Sequence, residues 1–500
     1  MSKTGTVPGL APYPLGPGFD EMYAGPGEVR RHYEHAHRIF SAMGPEALKR
    51  KQRAMQRRML EEGITFTLYG SDGAARERPL ERTIPFDMIP RIIPGEEWRD
   101  LERGILQRME ALNRFVHDVY HEQRIVKDGL VPRRMILSNR YFRPEMAGFR
   151  VPGNTYIAAS GIDLIRHSDG RYYVLEDNLR TPSGFSYLFK GRTLMNQLFP
   201  KLCFESAIRD VDASLNRFLS ALRSLAPSRN PDPLIVLLTP GSYNSAYYEH
   251  AFLAQQMGIR LVEGRDLVAD NHKIYLRTMR GMQQVDIIYR RLDDEYLDPL
   301  TFRPDSMLGV PGLMNAYRAG NVALANAPGT GVADDKAMYT YVPDMIRYYL
   351  GEEPLLRNVP TYVLSRPEER EFVLERLHEM VVKETSLSGG YGMLIGSEST
   401  PEERELFRGN ILREPERYIA QPIMALSTAP VLAGSGAAPR HIDLRAFALA
   451  GANGQTHVIP GGLTRVAMHE GSLVVNSSQG GGVKDTWVVD EPGLPSIEKE

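Results

Sequence analysis

The 500-residue chain is poor in several features, and each shortage narrows what the protein can be. A single cysteine, Cys203, leaves no intramolecular disulfide and suits a reducing compartment. No run of about 18 apolar residues occurs, so no helix is expected to span a bilayer. The opening MSKTGTVPGLAPYPLGPGF lacks the apolar stretch of a secretory signal, and a cytoplasmic location is expected. Neither sign of charge is in excess. A formal net charge of −2 gives no long-range pull toward nucleic acid or anionic membrane, and neither is expected as a partner. HExxH, GxSxG, GxxxxGK[ST] and CxxC are all missing, which sets aside zincins, elbow-type serine hydrolases, P-loop NTPases and zinc ribbons. The remaining composition, 42% hydrophobic and 24% charged, is that of a globular chain with about two to four structural units.

What is present divides by pattern. Residues 1–25, rich in Gly and Pro, predict an irregular arm. PGEVRRHYEHAHRIFSAM and GPEALKRKQRAMQRRMLEEG predict two helices, the second basic on its outer face. A long amphipathic helix follows, with Leu101, Ile105, Met109, Leu112 and Val116 on its core side. Cys203 lies in an apolar helical run and is expected to be a structural thiol rather than a nucleophile. From 234 the pattern is α/β: LIVLLTP reads as a strand buried on both faces, then a helix, then the strand IRLVEG. The turn of this βαβ unit either receives an anion or is an ordinary connection. Beyond it a helix is predicted over 336–350, with strands at MVVKE, YIAQPIM, HIDLRAFALA, THVIPGGLTRVA and SLVVNS.

The segment ASGIDLIRHSDGRYYVLEDN reads as strand, turn, strand. A two-residue Asp169-Gly170 turn, favoured because both positions tolerate positive φ, places Asp163 opposite Glu176. Side chains alternate, so Asn178 shares the face of Glu176 and Asp177 points the other way. Directly opposed Cβ atoms lie about 5 Å apart, and two carboxylates that close repel unless something positive joins them. Either Asp163, Glu176 and Asn178 hold a divalent cation such as Mg²⁺, or this is a solvated charged hairpin.

A metal held by two carboxylates and an amide calls for phosphate ligands elsewhere. Lys336 opens the predicted helix in GVADDKAMY, and Lys383 ends a strand in VVKETSLSGGYG, ahead of Gly389, Gly390, Gly392 and Gly396. Lysines partner phosphate as point charges, and glycines let backbone N–H groups approach its oxygens. The plainer reading is two surface lysines. HIDLRAF places Asp443 and Arg445 on one strand face and GGLTRVA adds Arg465; either arginine suits a phosphoryl group. SSQGGGVKD, after Asn476, reads as a second polar Gly-rich loop.

Taken together, GIDLIRHSDGRYYVLEDNLRTPSG, LLTPGSYNSAYYEHAFLAQQMG, GVADDKAMY, VVKETSLSGGYGMLIG and LVVNSSQGGGVKDTW resemble the circularly permuted ATP-grasp family that includes glutathionylspermidine synthase-like proteins. The resemblance implies a mixed α+β and α/β fold in which Glu176 and Asn178 precede the lysines, the reverse of the ordinary order. The predicted helices make 1–130 a mostly helical region, and the resemblance implies the metal-binding part of the core over 131–230, a Rossmann-like pre-ATP-grasp region over 231–334, and the ATP-binding remainder over 335–500. Asp163, Glu176 and Asn178 would bind Mg²⁺, and Lys336 and Lys383 the phosphates of ATP. Ser388, Gly389, Gly390, Tyr391 and Gly392 would cover the γ-phosphate, and residues 419–423, with Gln421 and Ile423, would line adenine. Arg180 and Arg445 would contact the carboxylate or phosphoryl group. The implied chemistry is ATP-dependent joining of a small-molecule or peptide carboxylate to an amine through an acyl phosphate. A non-catalytic ATP-binding module and phosphotransfer to a hydroxyl are the other readings these residues admit. The bifunctional members add a cysteine amidase; no Cys–His pair here matches it, so hydrolysis is not expected.

Overall fold

The computed structural model describes residues 10, 13–68, 80–227, 230–385, 392–433, 436–475 and 480–490. An eight-stranded sheet carries most of the chain. Its order is Arg357–Asn358, Tyr172–Asn178, Ala159–Arg166, Gly436–Ala450, Thr456–Val466, Gly482–Val489 and Phe86–Pro94, with Thr428–Ala433 paired to the first part of Gly436–Ala450. The inner pairs are antiparallel, and the pairs at the two ends are parallel. The helix Gly95–Tyr120 packs on this sheet, and its expected stripe, Leu101 to Val116, is core.

Two features of the sheet differ from expectation. The SLVVNS stretch forms no strand through Val475, while the strand Gly482–Val489 lies in what read as the end of a polar loop. Lys484 of that strand is buried because its ammonium pairs with Asp87 and donates to the Pro430 carbonyl at 2.8 Å. Asp87 sits on Phe86–Pro94, so the region 1–130, expected to be mostly helical, also supplies an edge strand of the sheet. Asn476 to Gln479 lie outside the described residues.

A second, antiparallel sheet has the order Tyr362–Val363, Tyr418–Pro422, Met380–Glu384, Met393–Ile395. The third is parallel, ordered Ala323–Ala325, Ile287–Arg290, Ile235–Leu238, Arg260–Val262, and contains the expected βαβ unit around the helix Tyr247–Met257. The predicted helix over 336–350 is broken. A 3₁₀ turn spans Met338–Tyr341 and the α-helix runs Val342–Leu350. Pro343 has no N–H to donate to the carbonyl four residues earlier, which disfavours a continuous α-helix through this point and suits the first turn of a new one. Lys336 therefore sits in the turn ahead of the 3₁₀ segment, where Asp335 accepts the N–H groups of Ala337 and Met338 at 2.8 and 3.1 Å. Among the described residues no helix is long and apolar enough to cross a membrane.

Candidate functional site

The hairpin turn has three residues, not two. His167 and Arg171 close it, with Ser168, Asp169 and Gly170 between them, and Gly170 takes φ +77°. That extra residue shifts the pairing so that Leu164 faces Val174. A bulge at Leu175 then shifts it back, and Asp163 faces Glu176 while Gly161 faces Asn178. Two irregularities cancel, and the expected facing pair is kept.

Asp163 is fully buried, and both of its oxygens are engaged. Arg445, directly opposite on the next strand, donates to them through Nε and Nη2 at 2.6 and 2.8 Å, and Arg465 donates through Nη2 at 2.7 Å. Arg465 in turn faces Asp443, to which its Nε donates at 2.9 Å. Burial alone would raise the Asp163 carboxyl, but the two guanidiniums hold it well below the usual carboxylate range. Asp163 thus anchors the arginines. Glu176 is the more open carboxylate, its side chain 29% exposed, with Oε1 3.9 Å from Arg445 Nη2. Asn178 donates Nδ2 to the Gly161 carbonyl at 3.2 Å, which leaves Oδ1 as the oxygen able to face a cation. Asp177 turns away and forms a bidentate pair with Arg108, 2.7 Å at each contact.

Between the two antiparallel layers lies a cleft of about 430 Å³. Glu176, Asn178, Arg180, Lys336, Lys383, Gln421, Arg445 and Arg465 all line it, brought together from separate stretches of chain. Ile165, Leu175, Val359, Met424, Leu426 and Leu473 make part of its wall apolar, as in most small-molecule sites. Lys383 donates to Gln421 Oε1 at 2.7 Å, and Gln421 Nε2 donates to Thr361 Oγ1 at 2.9 Å. Burial lowers the Lys383 ammonium to about 8, with Glu176 opposing the shift and Lys336 adding to it. Ile423 is not part of the wall, and its N–H is spent on the Glu379 carbonyl at 2.9 Å. Gly392, at φ +65°, accepts the Glu384 N–H at its carbonyl oxygen, 3.2 Å away. Ser388, Gly389, Gly390 and Tyr391 lie outside the described residues.

Arg180 also lines the cleft, its guanidinium 4.0 Å from the Tyr141 ring and its Nε 3.3 Å from Asp334 Oδ2. Gly331 makes room for both: a Cβ there would fall 2.6 Å from Tyr141 Cβ and 2.8 Å from Arg180 Cδ. Tyr141 and Asp334 went unnoticed in the sequence. Asp334 stands two residues before Lys336 in GVADDKAMY, which is the only hint the sequence contains. Cys203 lies away from the cleft, and burial pushes its thiol up to about 12, as befits a structural cysteine.

The donors for a cation, Glu176, Asn178 and the paired Asp163, are all oxygens, which fits Mg²⁺. Among the described residues no group of three His, Cys, Asp or Glu side chains is arranged to hold a metal. A site with one cleft-facing carboxylate and an amide fits Mg²⁺ that takes its other ligands from phosphate and water.

A family model for circularly permuted ATP-grasp type 2 matches residues 90–467. An uncharacterized protein of Synechocystis sp. is 49% identical over 96% of this chain and 98% of its own length. A Frankia alni protein named "Putative glutamate--cysteine ligase 2-3" is 41% identical over 94% of this chain, which spans 54% of that protein. A solved glutathione synthetase-like effector from Globodera pallida shares the fold, with a TM-score of 0.56 at 13% identity over 89% of this chain and 98% of that one. The ordering of the chain, with the Glu176–Asn178 strand ahead of Lys336 and Lys383, agrees with all of this: the protein belongs to the circularly permuted ATP-grasp type 2 family and has its fold.

Proposed function

We propose that this protein is an ATP- and Mg²⁺-dependent ligase that joins a carboxylate to an amine. The observation that carries the reading is the convergence of Glu176, Asn178, Lys336, Lys383 and Arg445 on one cleft with an apolar wall. The name of the Frankia relative, a ligase forming an amide, supports the same class, although this chain spans about half of that protein.

In this reading Lys383 and Lys336 bind the phosphate chain, and the apolar wall with Gln421 receives adenine. Glu176 and Asn178 hold Mg²⁺, with Asp163 behind them; the metal, when bound, neutralises phosphate charge. Arg445, fixed by Asp163 at its Nε and Nη2 edge, steadies the substrate carboxylate and the transferring phosphoryl group. A carboxylate oxygen attacks the γ-phosphorus, the bond to the β-phosphate oxygen breaks, and ADP leaves an acyl phosphate. The amine nitrogen then attacks the acyl carbon, loses a proton and expels inorganic phosphate. Lys and Arg donors already in place lower the cost of the charge that develops.

The test is acceptor dependence. With a panel of amino acids and short peptides as acids and amines, the protein should release ADP and phosphate in equal amounts with an amide product. ADP with a stable phosphorylated product would instead mark transfer to a hydroxyl. Nucleotide binding without turnover across the panel would mark a binding module.

A further inference from the structure

The backbone of the two residues just beyond Asn178 is held at both N–H groups and both carbonyls by one run of chain. The N–H groups of Leu179 and Arg180 donate to Asp334 Oδ2 at 2.8 and 3.0 Å. Their carbonyls accept from Asn326 Nδ2 at 2.8 and 3.2 Å. The same amide holds the start of the neighbouring strand. Asn326 Oδ1 accepts the N–H groups of Ala158 and Ala159 at 2.7 and 2.8 Å, and Nδ2 donates to the Ala159 carbonyl at 2.7 Å. Asn326 is 1% exposed, and its own carbonyl accepts from Arg290 Nε at 2.6 Å. It directly follows the strand Ala323–Ala325 of the parallel sheet, and the chain then runs on to Asp334 and Lys336.

We propose that Asn326 is a positioning residue for the nucleotide and metal site, an inference that rests on the Mg²⁺–ATP reading of the cleft. One planar amide ties the root of the strand bearing Asp163 to the end of the strand bearing Glu176 and Asn178. The segment that supplies it also carries Lys336, so the metal ligands and the phosphate lysine are set in one register. Only an amide presents an acceptor and two donor hydrogens from one plane. An aspartate would keep the acceptor half and turn negative charge toward three carbonyl oxygens. An alanine would leave buried N–H and C=O groups without partners.

The test has two arms. In the wild-type protein without metal or nucleotide, the Ala158 and Ala159 amides, which donate to Asn326 Oδ1, should exchange with deuterium as slowly as those of Ile162 to Ile165 within the strand Ala159–Arg166. Exchange at the unprotected rate, slowed only by adding Mg²⁺ and a non-hydrolysable ATP analogue, would overturn the proposal. In the second arm, Asn326→Ala and Asn326→Asp are titrated with Mg²⁺ at a fixed concentration of that analogue. Each should need about tenfold more Mg²⁺ or greater for half-saturation, the range seen when groups behind metal ligands are removed. Binding of the analogue in EDTA should weaken by a smaller factor than the Mg²⁺ requirement rises, because Lys383, held on the other sheet by Gln421, keeps its place. Folded variants with the wild-type Mg²⁺ requirement would overturn the positioning role alone. A wild-type protein that binds no analogue would overturn the reading of the cleft, and this role with it.

Discussion

Asp163 and Glu176 face each other across the hairpin, yet their carboxylates sit in different surroundings: Asp163 is locked between Arg445 and Arg465, while Glu176 is partly open to the cleft. This division predicts different outcomes on mutation. Glu176→Ala should reduce Mg²⁺-dependent ATP turnover by at least about a hundredfold, with an unchanged thermal midpoint. Asp163→Ala should lower the midpoint as well, since two buried guanidiniums lose their counter-charge. Thermal melts beside steady-state ADP release separate the two.

Lys383 should make nucleotide binding pH-dependent. Its ammonium titrates near 8 in the free protein because of burial. Phosphate favours the charged form, so binding takes up a proton at pH above about 8, and affinity falls as pH rises through that value. The slope approaches about tenfold per pH unit. Titrations of an ATP analogue between pH 7 and 10 should show this fall, and Lys383→Gln should bind more weakly with the slope gone.

Arg445 offers a fork that lysine cannot reproduce. Arg445→Lys should retain analogue binding while kcat drops by about a hundredfold, the scale for losing one donor aimed at developing charge. Arg445→Met should fall further. An unchanged kcat in Arg445→Lys would show that the guanidinium does not meet the reacting groups.

Asp177 and Arg108 form a pair buried on both sides, 1% exposed at each side chain. Asp177→Ala leaves the guanidinium uncompensated and should cost about 3–5 kcal/mol in denaturant unfolding. The double variant Asp177→Leu with Arg108→Met should recover much of that loss.

Local chemistry made much of this legible in the sequence, and long-range pairing hid the rest. The facing of Asp163 and Glu176 followed from counting outward from Asp169-Gly170, but only because the three-residue turn and the Leu175 bulge cancel. The stripe from Leu101 to Val116 kept its helical period because it packs on one sheet face. Lys484 could not be placed: a lysine after three glycines reads as loop until Asp87, on a distant strand, neutralises it. Arg445 was visible as a candidate, whereas its anchoring by Asp163 depends on strand neighbours far apart in the chain. Asn326 gave no signal at all, since a buried amide holding five backbone groups looks in sequence like any asparagine.

Activation of a carboxylate by phosphorylation in the cleft is tested most directly by isotope transfer. An acid from the panel that supports ADP release is supplied with both carboxylate oxygens as ¹⁸O, together with ATP, Mg²⁺ and the amine. Passage through an acyl phosphate predicts one ¹⁸O in each phosphate released and the other retained in the amide. Release of unlabelled phosphate, with both labels still in the acid, would contradict the account.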